Sequence, residues 1–256
     1  MSLPTTSRKN LFLKLSMSVT LFFSAAAYAE DITIMTENFP SETDKVSENK
    51  VGGIAGEIIT KALEAKKITF KMAWSPWKRA QQETQSNSDK KSFIIPLTRN
   101  AERESSYNWV AKIYDADTAF LTLKGTKKLD SMSEAKGKKI GVLLGSSYEG
   151  TIIDAKSGLT KSDIEAVAND ATNAKKLEAG KIYGWYTGVI GGIAVLKAEK
   201  IVISKIEIGK NIDREENYIA TAKDTPAELA NKVKDAIESF KKTPQYSAIV
   251  KKYAGK

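Results

Sequence analysis

The stretch from Phe93 to Tyr114 reads FIIPLTRNAERESSYNWVAKIY, and the fold is read outward from it. Its apolar opening, Phe93 to Leu97, has the length of a buried strand. The chain then turns polar at once. Thr98, Arg99 and Arg103 are thereby set just beyond the strand's end, before Trp109, Val110, Ile113 and Tyr114 restore apolar character. Open α/β folds bind ligands outside the carboxyl ends of their strands. A guanidinium placed there offers a planar fork of donors that fits a carboxylate or a phosphate, so Arg99 and Arg103 mark an anion-reading site. The competing reading is that both arginines are solvated surface charges, and spacing alone does not separate the two.

Upstream, residues 1–29 stand apart from the fold. Arg8, Lys9 and Lys14 supply positive charge, Leu15 to Phe23 form a short apolar core, and Ala27-Tyr28-Ala29 is an A-x-A cleavage pattern. This is the layout of a secretory signal peptide cut after Ala29; an uncleaved anchor is the alternative. The leader holds three basic and no acidic residues, so its removal takes the net charge from +9 to +6. No later run approaches the roughly twenty apolar residues of a membrane span, and the mature chain is expected to be soluble. With no cysteine, it has neither disulfides nor a thiol for a lipid anchor, which places it free in the periplasm. Histidine is absent as well, so the usual zinc and copper ligands are missing and no metal or other cofactor is expected. Lysine and arginine are interleaved with aspartate and glutamate throughout. That pattern suits a solvated face with weak steering of anions rather than a nucleic-acid surface.

Strands and helices alternate along the rest of the chain. Ile32 to Met35 reads as a strand, with Glu37 and Phe39 in the loop at its end, and residues 41–53 read as a flexible polar connection. Ile58, Ile59, Ala62 and Leu63 fall on one face of a helix that runs from Gly56 to about Lys66. A strand from Ile68 to Trp74 leads into a helix with Ser75 at the N-cap and Pro76 at its first position, which carries Trp77 and Arg79 in its first turns. Further strands are expected at Lys139 to Leu144, Ile164 to Val167, Ile182 to Tyr186, Ile201 to Ile208 and Ile219 to Ala222. Gly145-Ser146-Ser147 forms a strand-to-helix turn, for which helix capping competes with anion binding. The helices in between end with two near the C-terminus, from Thr225 to Lys242 and from Pro244 to Tyr253. The whole predicts α/β layers with largely parallel sheets.

This order, with Thr98-x-x-x-x-Arg103, the Glu102-Arg103 pair, the run Gly137-Lys138-Lys139-Ile140-Gly141-Val142 and the spacing Leu177-x-x-Gly180, resembles solute-binding protein family 3. These are the periplasmic proteins of polar amino acid ABC transporters. The resemblance covers about Ile32 to Tyr253. It implies a two-lobed periplasmic binding protein of type II, a Venus flytrap. Residues 30–114 and 217–256 would form lobe 1, residues 118–212 lobe 2, and the chain would cross a hinge at 114–118 and 212–217. By the same resemblance Arg103 grips a ligand carboxylate, Thr98 lines that pocket, and the Pro96 carbonyl accepts from an amino group. Glu37 takes an acidic position, Trp74 stacks over the ligand, and the turn at Ser146 and Ser147 completes the carboxylate grip. Trp77 and Trp185 would cover an apolar part, with Arg79 or Arg99 assisting Arg103.

One departure stands out. Where amino-acid binders of this family place the aspartate that pairs with the α-ammonium, this chain has Gly188, and Tyr183 replaces a second acid. The ligand is therefore expected to be a small carboxylate-bearing, partly apolar molecule, captured by a monomer for an inner-membrane ABC permease. Two other classes stay open: a dehydratase-type enzyme working in the same cleft, and a sensor for a membrane receptor. N-terminal sequencing of the exported protein is expected to begin at Glu30; retention of residues 1–29 would contradict the leader.

Overall fold

The computed structural model describes Met1, Ser2 and residues 32–254; the expected leader and its cleavage site lie outside the described residues, apart from those first two. The chain forms β1 (Ile32–Thr36), a small hairpin of β2 (Lys45–Ser47) and β3 (Lys50–Val51), α1 (Gly53–Ala65), β4 (Phe70–Trp74), α2 (Trp77–Ser86) and β5 (Ser92–Thr98). The long strand β6 (Asn108–Leu123) follows. Next come α3 (Met132–Ala135), β7 (Ile140–Leu143), α4 (Ser147–Ile153), β8 (Ile164–Val167), α5 (Asp170–Glu178), β9 (Gly184–Gly188) and α6 (Val189–Ala198). The chain ends with β10 (Ile206–Ile208), β11 (Asp213–Thr221), α7 (Ala227–Lys241) and α8 (Pro244–Ala254).

All but the hairpin strands belong to one hydrogen-bonded network in the order β4-β1-β5-β11-β6-β9-β7-β8, with β10 also on β6. β6 is long enough to serve two lobes. Its first part pairs with β11, from Asn108 opposite Thr221 to Thr118 opposite Asp213, and its last part pairs with β9 and β10. The sheet is mixed rather than largely parallel: β1 with β4 and β5, and β7 with β8 and β9, run parallel, whereas β11, β6, β9 and β10 meet antiparallel. The expected strand at Ile219 to Ala222 proved to be the end of a longer one, because polar residues from Asp213 onward pair along β6 where both faces need not be apolar.

Each lobe buries both faces of its sheet, which is why its strands read as apolar runs. In β5, Phe93 and Ile95 face a core shared with Ile58, Leu63, Val233 and Ile237 of α1 and α7, while Ile94 and Leu97 face Trp77 and Ala80 of α2. In the second lobe the same alternation sends Leu121 and Trp185 under α5 and α6, and Phe120 and Tyr186 towards Ile140 and Ile152. Residues 41–53 are ordered rather than flexible. Thr43 and Glu42 bond back to the Phe39 carbonyl, and the first amides of α1 bond to the carbonyls of Ser41 and Glu42. Gly53 makes this possible: at φ +77° it lies against the Glu42 backbone, where a Cβ would come within 2.5 Å of the Glu42 carbonyl carbon.

Phe93 is fully buried, so Phe93→Ala is expected to cost about 3–5 kcal/mol in urea unfolding of the mature chain. Val46→Ser, on the exposed hairpin, is expected to change stability by less than about 0.5 kcal/mol.

Candidate functional site

The ends of β1 and β5, the turn into α4 and the start of α5 converge on a cavity of about 240 Å³ between the lobes. That is smaller than the roughly 300–1,000 Å³ typical of drug-sized sites, so it suits a solute on the scale of an amino acid. Of the expected site residues, Glu37, Phe39, Trp77, Pro96, Thr98, Arg103, Ser146 and Ser147 line it.

Arg103 is 8% exposed, and its side chain crosses the cleft. Nη1 donates to the Thr98 carbonyl at 3.2 Å in lobe 1, and Nη2 donates to the Gly145 carbonyl at 2.9 Å in lobe 2. Burial pulls the affinity of this guanidinium for its proton down, while Tyr107 and Glu215 hold it up; an arginine stays charged regardless. The Gly145 carbonyl also accepts from Gln81 Nε2 at 3.0 Å. A further bridge between the lobes is polar too: Ser147 Oγ donates to Glu215 Oε2 at 2.9 Å, and the same oxygen accepts from Thr98 Oγ1 at 2.9 Å.

Two positions that read as anion sites are filled by the chain's own carboxylates. Glu37 Oε2 accepts from the Trp77 amide at the start of α2 at 2.6 Å. That helix begins one residue later than expected, since Pro76 is extended (ψ 140°), and the Ser75 hydroxyl donates to Glu83 instead of capping. At the second turn the Gly145 amide donates to Glu149 Oε2 at 2.5 Å. Ser146 caps α4, accepting from the Glu149 amide while its own proton goes to the Leu143 carbonyl. Phe39 and Trp77 meet edge to face at 5.3 Å and form an apolar wall.

Four expected residues lie elsewhere. Arg79 sits two residues beyond Trp77, hence on another face of α2, and its Nε bonds to Glu83 at 2.7 Å. Arg99 is exposed, forked onto Glu104 and packed over the rings of Trp109 and Tyr218. Trp74 donates to the Glu48 carbonyl and lies under Lys45 beside the hairpin. Trp185 alternates into the core of the second lobe.

Among the lining residues that the sequence reading did not single out are Tyr148, Asp170 and Glu42. Tyr148 lies at the start of α4 and Asp170 at the start of α5, and Glu42 belongs to the connection expected to be flexible. Glu42 is 8% exposed and reaches from lobe 1 towards Gly188 and Gly191. A Cβ at Gly188 would stand 2.6 Å from the Tyr148 hydroxyl and 3.7 Å from Glu42 Oε1, so the space left by the missing side chain is occupied. Acidic groups dominate the cleft. Burial pushes Glu42 up to about 8, with Asp170 and Glu215 adding to the rise. Burial raises Glu37 to about 7 against the pull of the Trp77 amide. Asp170, which keeps an edge open to solvent, is raised to about 6, again chiefly by burial. Glu215 is raised by burial and held back by Ser147, Thr98 and Arg103.

The family described as bacterial extracellular solute-binding proteins, family 3, matches residues 32–256. The L-cystine-binding protein TcyJ of Escherichia coli is 24% identical over 163 residues, 63% of this chain; the match spans 59% of that relative's length. Among solved structures, a histidine kinase sensor domain with similarity to periplasmic binding proteins superposes with a TM-score of 0.78 at 14% identity, covering 88% of this chain and 96% of the other. The arginine-, lysine-, histidine-binding protein ArtJ from Geobacillus stearothermophilus gives 0.75 at 19% identity, covering 89% and 96%. Both establish the type II periplasmic binding protein fold.

The raised carboxyls make ligand-free stability fall with pH. Each binds its proton more tightly in the folded than in the unfolded chain, so the folded state holds more protons between the ordinary carboxyl range and about pH 8. The stability they contribute is complete below pH 4 and lost as pH rises through about 6 to 8. The melting temperature of the ligand-free chain is therefore expected to drop from pH 5 to pH 8.5, and Glu42→Gln to flatten the upper part of that drop; a rise over this range would contradict the assignment.

Proposed function

The chain belongs to the bacterial extracellular solute-binding proteins, family 3, a family of non-enzymatic solute binders, and from that premise we propose that it captures a small, carboxylate-bearing, amino-acid-type solute between its lobes. The captured solute is handed to an inner-membrane ABC permease, and the protein works as a monomer in the periplasm. The observation that carries this reading is Arg103. It is the buried guanidinium of the cleft, and after its two carbonyl bonds it still has three N–H groups for a carboxylate. Phe39 and Trp77 supply the apolar wall. Two or three charge-assisted hydrogen bonds at about 1.5–3 kcal/mol each, with this cover, suffice for micromolar affinity, about −8 kcal/mol. The lobes close about the crossings at 114–118 and 212–217, where β6 and β11 pair from Tyr114 opposite Asn217 to Thr118 opposite Asp213.

A thermal-shift screen of residues 30–256 against amino acids, small acids and amines identifies the solute, since a ligand at a hundred times its dissociation constant adds about 2.7 kcal/mol. Arg103→Ala is expected to weaken that solute at least about tenfold in calorimetry, about 1.4 kcal/mol. Unchanged affinity removes Arg103 as the anchor.

A further inference from the structure

The cleft holds more acid than its arginine balances. Glu37, Asp170 and Glu215 each have hydrogen-bond donors of their own: the Trp77 amide, the Asn173 amide group, and the hydroxyls of Ser147 and Thr98. Glu42 has the Tyr114 phenol as its neighbouring donor and no cation among the described residues. Among the described residues no cation is paired with its carboxyl, and the groups facing it are phenols and acids: Tyr114 from β6, Tyr148 from α4, Asp170 from α5, Glu215 from β11 and Asp44 from its own loop. The Tyr114 hydroxyl faces this carboxyl and meets no other partner among the described residues. Glu42 is nonetheless more than nine-tenths buried, lines the cavity, and is given its room by two glycines of the other lobe: a Cβ at Gly191 would stand 3.2 Å from Oε1, and one at Gly188 3.7 Å.

A buried carboxyl with no counter-charge is costly as an anion and stays protonated until a cation arrives. We propose that a cationic group of the solute, an ammonium or a guanidinium, docks on Glu42, and that its arrival expels the carboxyl's proton to solvent. The balance is one carboxylic acid and one cation giving one ion pair and one released proton; no bond of the solute changes. This rests on the proposed function and deepens it: the solute carries a cation as well as a carboxylate, and the acid that receives the cation comes from lobe 1, so the ion pair draws the loop of residues 37–42 onto α6. Simple carboxylic acids form no ion pair with Glu42 and are expected to bind more weakly than solutes carrying both charges. The burial that lifts Glu42 to about 8 agrees with a protonated resting state at neutral pH.

The test is calorimetry of residues 30–256 in phosphate and in Tris, whose ionisation heats differ. The probes are L-arginine, L-lysine, L-histidine and L-cystine; their carboxylate-free counterparts agmatine, cadaverine and histamine; and hexanoate, an acid without an amine. Expected is release of about one proton per bound amino acid at pH 7, declining as pH rises through about 8. Glu42→Gln is expected to abolish the release and weaken the binding amino acid at least about tenfold, while Glu42→Asp retains release. Circular dichroism checks that both variants fold. Equal affinity and no change in proton release in Glu42→Gln overturns the inference, as does hexanoate binding as tightly as the amino acids; both leave the Arg103 reading in place. Agmatine or histamine binding as tightly as its amino acid sinks the carboxylate reading and leaves Glu42 standing. If no probe binds at millimolar concentration, both fall.

Discussion

Arg103 donates to a carbonyl of each lobe, and this pair of hydrogen bonds is what the rest of the cleft is arranged around. A buried guanidinium with unsatisfied donors would cost several kcal/mol, so it draws acceptors and acids around itself. The Thr98 carbonyl at the end of β5 and the Gly145 carbonyl after β7 supply the first two. Gly145 presents its carbonyl in this direction at φ +74°, a conformation in which a side chain is strained, and a Cβ there would also press on Lys78. Glu215 then sits behind Thr98 and Ser147, near enough to favour the arginine's charge without taking its remaining N–H groups.

The acids follow from the same economy of burial. Glu37 satisfies the start of α2 and Glu149 the turn at Gly145, so the two backbone anion sites are closed from within. What is left open to a solute is side-chain chemistry: one guanidinium, an edge-to-face aromatic wall, and the Glu42 carboxyl with no cation beside it among the described residues. On the proposed reading, these three features together favour a molecule bearing both signs of charge and a modest apolar body.

The fold was legible because its signals are local. Phe93 to Leu97 is continuous and apolar since both faces of β5 are covered, and α1 announces itself through Ile58, Ile59, Ala62 and Leu63. Arg103, Thr98 and Glu37 were legible because strand ends and a matching motif placed them. By spacing alone Arg99 and Arg103 look alike; the Thr98-x-x-x-x-Arg103 motif singles out Arg103, and the turn from Asn100 to Ser106 carries it inward. Glu42 was invisible for a different reason. It lies in a polar run between Ser41 and Gly53 that has no periodicity, and its burial depends on a hairpin, a left-handed glycine and two glycines over a hundred residues away. Trp74 and Trp185 misled because an aromatic at a strand end reads the same whether it faces cleft, solvent or core.

The departure at Gly188 acquires a physical account in this structure. An acid missing from lobe 2 is matched by an acid supplied from lobe 1 into the space that a side chain at 188 and another at 191 would have filled. The most direct measurement is a crystal structure of the mature protein with the solute that binds most tightly. The account requires its carboxylate on the Arg103 guanidinium and its cationic group against Glu42, with the apolar part on Phe39 and Trp77. A solute seated outside this cleft, or one whose carboxylate avoids Arg103, would contradict it.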